Sequence, residues 1–232
     1  DNNSVIQSFD YSNESFSEWG YRVLSSTDNG NSWQLLDNAS FNNLRGITFG
    51  NGEFLVLTDN STWTSSDGGY SWQERGSIAN FSLPDLTLVQ GDPLPEGGSI
   101  YSGSMTFTSR TLNSFSSQDI AYGNGKYLSV GSVSIQGTRN GSVQSDNGSG
   151  IQSFNYSNES YSEWGYRVLS STDNGNSWQL LDNVSFNNPR GITYGNGDFL
   201  TLTDNSTWAS SDGGITWHER GSIANFSLPD LA

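Results

Sequence analysis

The acidic residues that stand among aromatic residues are the first candidates for chemistry in this sequence. Glu14 and Glu18 lie in an aromatic-rich stretch that returns with Glu159 and Glu163. Two carboxylates are the machinery of most glycoside hydrolases, in which one acts as the acid and the other as the base or nucleophile. The sequence gives no distance between these carboxylates, so it does not separate a catalytic pair from surface charges. We predict a protein that is not an enzyme and assign no catalytic residue.

Histidine, thiol and metal chemistry have few candidates. His218 is the only histidine, and Gln73 stands at the corresponding position of the repeat described below, so a solvent-facing strand residue is the simpler interpretation. The chain has no cysteine and therefore no disulfide or thiolate ligand. The loop 28–31 is rich in oxygen atoms but lacks the full spacing of a calcium loop. We expect no cofactor, and Ca²⁺ is the alternative.

One pattern, S-x-D-x-G-x-[ST]-W, occurs four times and organises the elements that would position any site. Each copy lies between two strand-like runs, which predicts the turn of a β-hairpin. The Asp can accept hydrogen bonds from its own turn, the Gly allows a left-handed backbone position, and the Trp offers a large apolar face to neighbouring strands. The pattern residues are Ser26, Asp28, Gly30, Trp33, Ser65, Asp67, Gly69, Trp72, Ser171, Asp173, Gly175, Trp178, Ser210, Asp212, Gly214 and Trp217.

The pattern resembles the Asp-box, or BNR repeat, of sialidase-like β-propellers. This resemblance implies an all-β fold whose blades each contain four antiparallel strands. It implies no activity, because the box is a structural turn that enzymes and non-enzymes of that family share. Sialidases of the family use an arginine triad, a Tyr–Glu nucleophile pair and an Asp acid/base, and an F-R-I-P motif usually precedes their boxes.

The arginines of this chain do not match that arrangement. The F-R-I-P motif is absent, and most arginines occur as repeat pairs, which a single asymmetric active site would not produce. We therefore expect ion pairs at the surface or between blades. The pairs are Arg22 and Arg167, Arg45 and Arg190, and Arg75 and Arg220.

A tandem repeat sets the domain organisation. Residues 1–86 align with 146–231 without a gap at a period of 145, and 13 of these 86 positions differ. We divide the chain into a first unit, 1–145, and a second, partial unit, 146–232, and expect them to pack as one continuous β domain. The chain is read as part of a longer array or as a subunit that its neighbours complete.

The strand pattern predicts three blades and one leading half-blade at about 20–37. One blade contains strands at 46–49, 54–58, 61–65 and 71–75, and residues 190–221 repeat it. In the remaining blade, 119–130 supplies two strands, and 166–169 and 177–181 supply the other two. The segment 132–164 between them is read as a long insertion containing a decayed box at 145–148, and Ser99–Thr108 as edge strands. The half-blade leaves an open edge that a neighbouring repeat or subunit would complete.

The aromatic stretch 9–19 and its repeat at 154–164 are the candidate contact surface. Rings among polar residues suit packing over their own blade, a subunit interface or stacking on a glycan, and the sequence leaves all three open. The candidates are Tyr11, Phe16, Trp19, Tyr156, Tyr161 and Trp164.

Composition restricts the partners and the compartment. A net charge of −15 argues against nucleic acid and anionic membranes, and no apolar run is long enough to span a membrane. Twelve N-x-[ST] sequons favour a secreted, N-glycosylated surface, although turn-forming Asn without sugar is the alternative. They are Asn2, Asn13, Asn38, Asn60, Asn80, Asn140, Asn147, Asn155, Asn158, Asn183, Asn205 and Asn225.

Together these features predict a non-enzymatic, extracellular, glycosylated repeat protein with a structural or adhesive role. Its expected partner is itself, assembled end to end into a fibre or array, with extracellular glycans as a further partner. The alternative is a carbohydrate-binding or sialidase-like glycan-processing module. An intracellular assembly factor built on a propeller is a third hypothesis, which the number of sequons disfavours.

Overall fold

The structure, a computed structural model, describes residues 21–94, 98–146, 150–182, 184 and 186–223. These residues form sixteen β-strands and no α-helix, and every strand pair is antiparallel. Within these ranges no helix is long and apolar enough to cross a membrane. The all-β prediction is confirmed for this part of the chain.

The second sheet along the chain shows how the repeated sequence builds a four-stranded meander. Each strand pairs with the next one in sequence. Asn51 and Gly52 both have positive φ, the conformation that Asn-Gly hairpins favour, and they join the first two strands. Three strands lie within one residue of their predicted bounds, whereas the fourth begins two residues later than predicted. The strands are β3 (Gly46–Gly50), β4 (Glu53–Leu57), β5 (Ser61–Ser65) and β6 (Gln73–Ser77).

The fourth sheet is equivalent to the second, and the first sheet contains two strands. We call residues that lie 145 positions apart equivalent. The fourth sheet contains β13 (Gly191–Gly195), β14 (Asp198–Leu202), β15 (Ser206–Ser210) and β16 (His218–Ser222). The first sheet contains β1 (Tyr21–Ser25) and β2 (Gln34–Phe41), at the position of the predicted half-blade.

The third sheet corrects two predictions. Residues 132–164 are not an insertion between strands, because β10 and β11 run through them as a paired hairpin. Ser99–Thr108 is not an edge, because β9 pairs with β10 on one side and with β8 on the other. The strands are β7 (Phe81–Ser82), β8 (Leu86–Leu88), β9 (Ser99–Gly123), β10 (Lys126–Asp146), β11 (Ile151–Ser171) and β12 (Gln179–Leu181).

The repeat boundary at 145/146 falls at the end of β10, so the repeat unit and the sheets are out of phase. Of the candidate box at 145–148, Ser145 and Asp146 end β10, and Asn147 and Gly148 lie outside the described residues. We call the paired residues 99–117 of β9, 131–146 of β10 and 151–167 of β11 the arm. Its apolar side chains, including Met105, Phe107 and Val143, pack on Leu86 and Leu88. The arm therefore has its own small core, and it continues the strands of the third sheet.

A buried ion pair joins the arm to the segment after β12. The Arg110 side chain is almost fully buried, and its Nη2 and Nη1 donate to the Asp182 carboxylate over 2.7 and 3.1 Å. Burial acts to lower the pKa of Arg110, but the hydrogen bonds and charge of Asp182 outweigh it and raise that pKa. Since an unpaired buried charge is costly, this contact fixes the position of the segment.

The sheets pack in chain order, each against the next. Leu55 and Leu57 of the second sheet share a core with Leu169 of the third sheet and with Trp178, which directly precedes β12. Another core joins the third sheet to the fourth through Leu128, Phe199 and their neighbours, and a smaller one joins the first and second sheets. The described chain is thus a row of sheets whose cores lie between neighbours.

Candidate functional site

The four repeated turns share the hydrogen bonds of their Ser, Asp and Gly residues, shown here for residues 65–72, where the Trp residue adds another. Ser65 Oγ donates to Asp67 Oδ1 over 2.8 Å, and the Gly69 N–H donates to Ser65 Oγ over 2.8 Å. Asp67 accepts from the N–H of Ser71 at 2.9 Å and from its Oγ at 2.5 Å. Trp72 Nε1 donates to the Gly69 carbonyl over 2.9 Å. All five pattern residues therefore hold the turn together.

The Ser, Asp and Gly contacts recur in the other three turns, and they determine the acidity of the carboxyl groups. The Trp bond recurs in the first and fourth turns, whereas Trp178 Nε1 in the third turn is buried without a hydrogen-bond partner among the described residues. Hydrogen bonds from Ser32 and Ser26 lower the pKa of Asp28 from 3.8 to about 2, and those from Ser71 and Ser65 do the same for Asp67. Slight burial acts to raise the pKa of Asp212, but hydrogen bonds from Thr216 and Ser210 lower it to about 2. These carboxylates are ionised structural acceptors, which leaves them unsuited to acid/base work near neutral pH.

The third turn, 171–178, also packs on the preceding sheet. Thr62 Oγ1 of the second sheet donates to the Gly175 carbonyl over 2.7 Å. A β-carbon at Gly175 would lie 3.0 Å from Leu55 Cδ1, and one at Gly76 would lie 2.3 Å from the Asn176 carbonyl oxygen. The turn thus meets the sheet backbone to backbone, and both glycines are required at the contact.

The second and fourth turns make related contacts. A β-carbon at Gly69 would lie 3.1 Å from Leu36 in the first sheet, and one at Gly214 would lie 2.7 Å from Leu128 in the third. Each of these turns therefore contacts the sheet that precedes its own. This repeated contact is what arranges the sheets in a row.

The first turn, 26–33, lies against no sheet within the described residues. Trp33 is 62% exposed, whereas its equivalent Trp178 is 8% exposed. Gly30 is exposed and Gly175 is buried. Leu24 and Leu35 beside the turn are exposed, while their equivalents are buried against the second sheet. We call Leu24, Gly30, Asn31, Trp33 and Leu35 the leading face.

The fourth sheet carries the matching uncovered surface. Leu200 is 39% exposed, whereas its equivalent Leu55 is fully buried. A β-carbon at Gly221 would meet nothing within 4 Å, in contrast to its equivalent Gly76. We call Leu200, Leu202, Thr207 and Gly221 the receiving face. The strand pattern of the sequence did not reveal either face. The faces become visible only when the burial of a residue in one copy is compared with the exposure of its equivalent in the other.

The aromatic candidates separate into packed and exposed residues. Tyr161 lies 4.6 Å from Phe107, ring centre to ring centre, and its hydroxyl accepts from Arg110 Nε, so it packs within its own sheet. The Tyr156 ring lies 3.9 Å from the Arg139 guanidinium. Trp164 is 77% exposed. Tyr11, Phe16 and Trp19 lie outside the described residues.

Trp164 stands at a cleft of about 420 Å³ between β11, residues 86–94 and the segment after β12. Its walls include Glu163, Arg167 and Asp182. Arg167 Nη2 pairs with Glu163 Oε1, and Arg167 Nη1 donates to the Tyr166 carbonyl over 2.9 Å. The cleft therefore combines an exposed indole ring with polar groups whose charges are largely paired.

Four of the arginines that recur in both repeat copies form ion pairs with carboxylates of their own sheet. Arg45 and Arg190 lie 2.5 and 2.6 Å from Asp59 and Asp204, and Arg75 and Arg220 face Glu53 and Asp198 at 3.7 and 3.6 Å. Arg22 also has a partner. These contacts account for the guanidinium groups without a substrate.

The described residues include no cluster of three His, Cys, Asp or Glu side chains that could hold a metal ion, and His218 is exposed on β16.

Half of the sequons have described side chains. Asn60, Asn80, Asn155, Asn158 and Asn205 are exposed and Asn140 is half-buried. Asn38 lies within β2. The remaining sequons, Asn2, Asn13, Asn147, Asn183 and Asn225, lie outside the described residues.

Comparison with known proteins gives no family. No family model matches the sequence, and no curated protein matches it. Solved structures that resemble this one include a Trypanosoma rangeli sialidase mutant displaying trans-sialidase activity, at 11% identity and a TM-score of 0.28. The alignment covers 85% of this chain and 40% of that one. Another is YCF48 bound to D1 peptide, at 18% identity and a TM-score of 0.27, covering 85% and 60%. The chain thus spans 40 to 60% of the length of these proteins.

Proposed function

We propose that this protein is a non-enzymatic structural or adhesive repeat protein that assembles end to end into a fibre or array. The observation that carries the proposal is the turn-to-sheet contact, which recurs at three successive sheet junctions. A contact that joins one module to the next, without closing on itself, is what a linear assembly requires. The four turns are proposed to be Asp-box turns and the sheets to be propeller-type blades, with 1–145 as the repeat unit.

The proposal includes an extracellular location and N-linked glycans. Exposed sequons at Asn60 and Asn205 support it, because these equivalent side chains stand at β-turns where a glycan has room. Calcium is retained only as an alternative ligand of the first turn, whose Asp28 oxygens already accept from Ser26 and Ser32.

Electron microscopy of the native protein, combined with sedimentation velocity over a range of concentrations, tests the assembly. Regular filaments, or particles that lengthen with concentration, are expected. Discrete monomers at every concentration would contradict the proposal. Mass spectrometry before and after N-glycosidase treatment tests the glycans in the same preparation.

A second function has one observation in its favour. Exposed indole rings beside hydrogen-bonding groups suit stacking on sugar rings, and the Trp164 cleft has that composition. A carbohydrate-binding or glycan-processing module would work as a discrete particle. The same sedimentation experiment therefore separates the two proposals.

A further inference from the structure

The geometry points to a defined head-to-tail interface, in which the leading face of one chain binds the receiving face of a second copy of this chain. This inference rests on the proposed function, because it assigns the surfaces through which the chains would assemble. It follows from the repeat. The third turn and the second sheet meet inside the chain, while their equivalents, the first turn and the fourth sheet, lie uncovered at opposite ends of the described row of sheets.

The template is the junction between the second and third sheets. The third turn has the sequence STDNGNSW, which is identical to that of the first turn. The second sheet is equivalent to the fourth, with Leu55, Leu57, Thr62 and Gly76 matching Leu200, Leu202, Thr207 and Gly221. Both partners of a formed junction therefore recur as the two uncovered faces.

The contacts that the template makes with the turn backbone correspond to contacts between two chains. Thr207 Oγ1 would donate to the Gly30 carbonyl of the second chain, as Thr62 donates to Gly175. Gly221 would accommodate the Asn31 carbonyl, as Gly76 accommodates that of Asn176. The second contact is between backbones, and the first needs only the threonine hydroxyl, which Thr207 retains.

The side chains at the edge of the template are also retained. Asn174 Nδ2 donates to Glu53 over 3.4 Å, and Asn174 Oδ1 accepts from Asn51 at 3.0 Å. Asn174 is equivalent to Asn29, beside the leading face. Glu53 and Asn51 are equivalent to Asp198 and Asn196, beside the receiving face. The exchange of Glu53 for Asp198 keeps a carboxylate acceptor. In addition, Trp33, Leu24 and Leu35 would bury their exposed apolar surface on Leu200 and Leu202, which favours association.

The central test is a matched pair of glycine substitutions. Gly76→Ala places a methyl group 2.3 Å from a carbonyl oxygen inside the chain, so it should lower the thermal midpoint of the monomer. Gly221→Ala places the same methyl group in open space, so it should leave the monomer unchanged. It should nevertheless raise the dissociation constant for self-association about tenfold or more, because the clash arises only between chains.

Two further variants keep the test independent of folding. Leu200→Asp should weaken association, whereas Ile151→Asp, at a similarly exposed residue on the arm, should not.

Since the chain has no cysteine, Asn29→Cys and Asp198→Cys can be prepared as separate chains. Their mixture should give a dimer with a short bis-maleimide linker, and either chain alone should not. Asn174→Cys combined with Glu53→Cys in one chain is the control, which should cross-link within the chain, gaining the mass of one linker and forming no dimer.

The outcomes distinguish this interface from the proposed function. Association that resists both Gly221→Ala and Leu200→Asp, without the cross-link, would overturn the interface and leave end-to-end assembly in place. A protein that is monomeric under all conditions would overturn both. A monomer destabilised by Leu200→Asp would mean that the chain itself covers the receiving face, which also overturns the inference.

Discussion

At the scale of single residues, the turn carboxylates are the groups whose chemistry the structure defines best. Asp28, Asp67 and Asp212 each accept hydrogen bonds from hydroxyl and backbone donors two to four residues away. These bonds favour the ionised form and lower the pKa of each group. The role of these carboxylates is therefore structural, and their low pKa values depend on the folded conformation of the turn.

The turn carboxylates predict a loss of stability in acid. The folded pKa of Asp67 is about 2 against an ordinary value of 3.8, so its contribution is complete above pH 3.8 and is lost as the pH falls towards 2. Thermal midpoints should fall over this range. Asp67→Asn should lower the midpoint at pH 6 and reduce its slope between pH 4 and 2. Asp85→Asn, outside the repeated turns, is the control, and an equal slope in both variants would contradict the assignment.

At the scale of elements, close approach between neighbouring sheets depends on the glycines that end β3 and β9. A β-carbon at Gly50 would lie 2.0 Å from the Tyr122 ring, and one at Gly123 would lie 2.0 Å from the Tyr194 ring. At Gly195, which is equivalent to Gly50, nothing lies within 4 Å. The tyrosine of each following sheet therefore occupies the space that a side chain would need.

These three glycines predict a graded response to alanine. Gly50→Ala and Gly123→Ala should each lower the free energy of unfolding by about 2 to 3 kcal/mol, because a methyl group would overlap a packed ring. Gly195→Ala should be neutral. Chemical denaturation of the monomer measures all three, and equal effects at the three positions would show that backbone flexibility, and not the tyrosine contact, decides the outcome.

The sequence predicted the four-stranded meanders well because alternating residues and Asn-Gly turns act locally. It missed the long strands β9 to β11, since Ser, Gly and Asn dominate them and these residues are typical of loops. What makes these segments strands is pairing with partners far along the chain, such as Ser132 with Ser116 and Tyr166. The buried pair of Arg110 and Asp182 was missed for the same reason, because its 72-residue separation leaves no local signal.

At the scale of the whole molecule, charge opposes the proposed assembly. Each chain has a net charge of −15, so two chains repel each other at long range. The proposed interface is mostly apolar and backbone-mediated, with Leu200 meeting Gly30 and Trp33. Salt should therefore screen the repulsion without breaking the contacts that hold the chains together.

This balance predicts that association strengthens with ionic strength. Raising NaCl from about 0.01 to about 0.15 M shortens the screening length from about 30 to about 8 Å, and the dissociation constant should fall. Sedimentation equilibrium at several salt concentrations measures the change, with potassium chloride as a control for ion-specific effects. Weaker association in salt would mean that ion pairs across the interface dominate.

The equivalence of the second and fourth sheets has a consequence for the gene. A recombination event that adds or removes one 145-codon segment would create no junction that the described chain lacks, because each added sheet meets a neighbour of a type already present. Chains of different length would then fold with the same contacts. Copy number could then change while selection acts on a single interface.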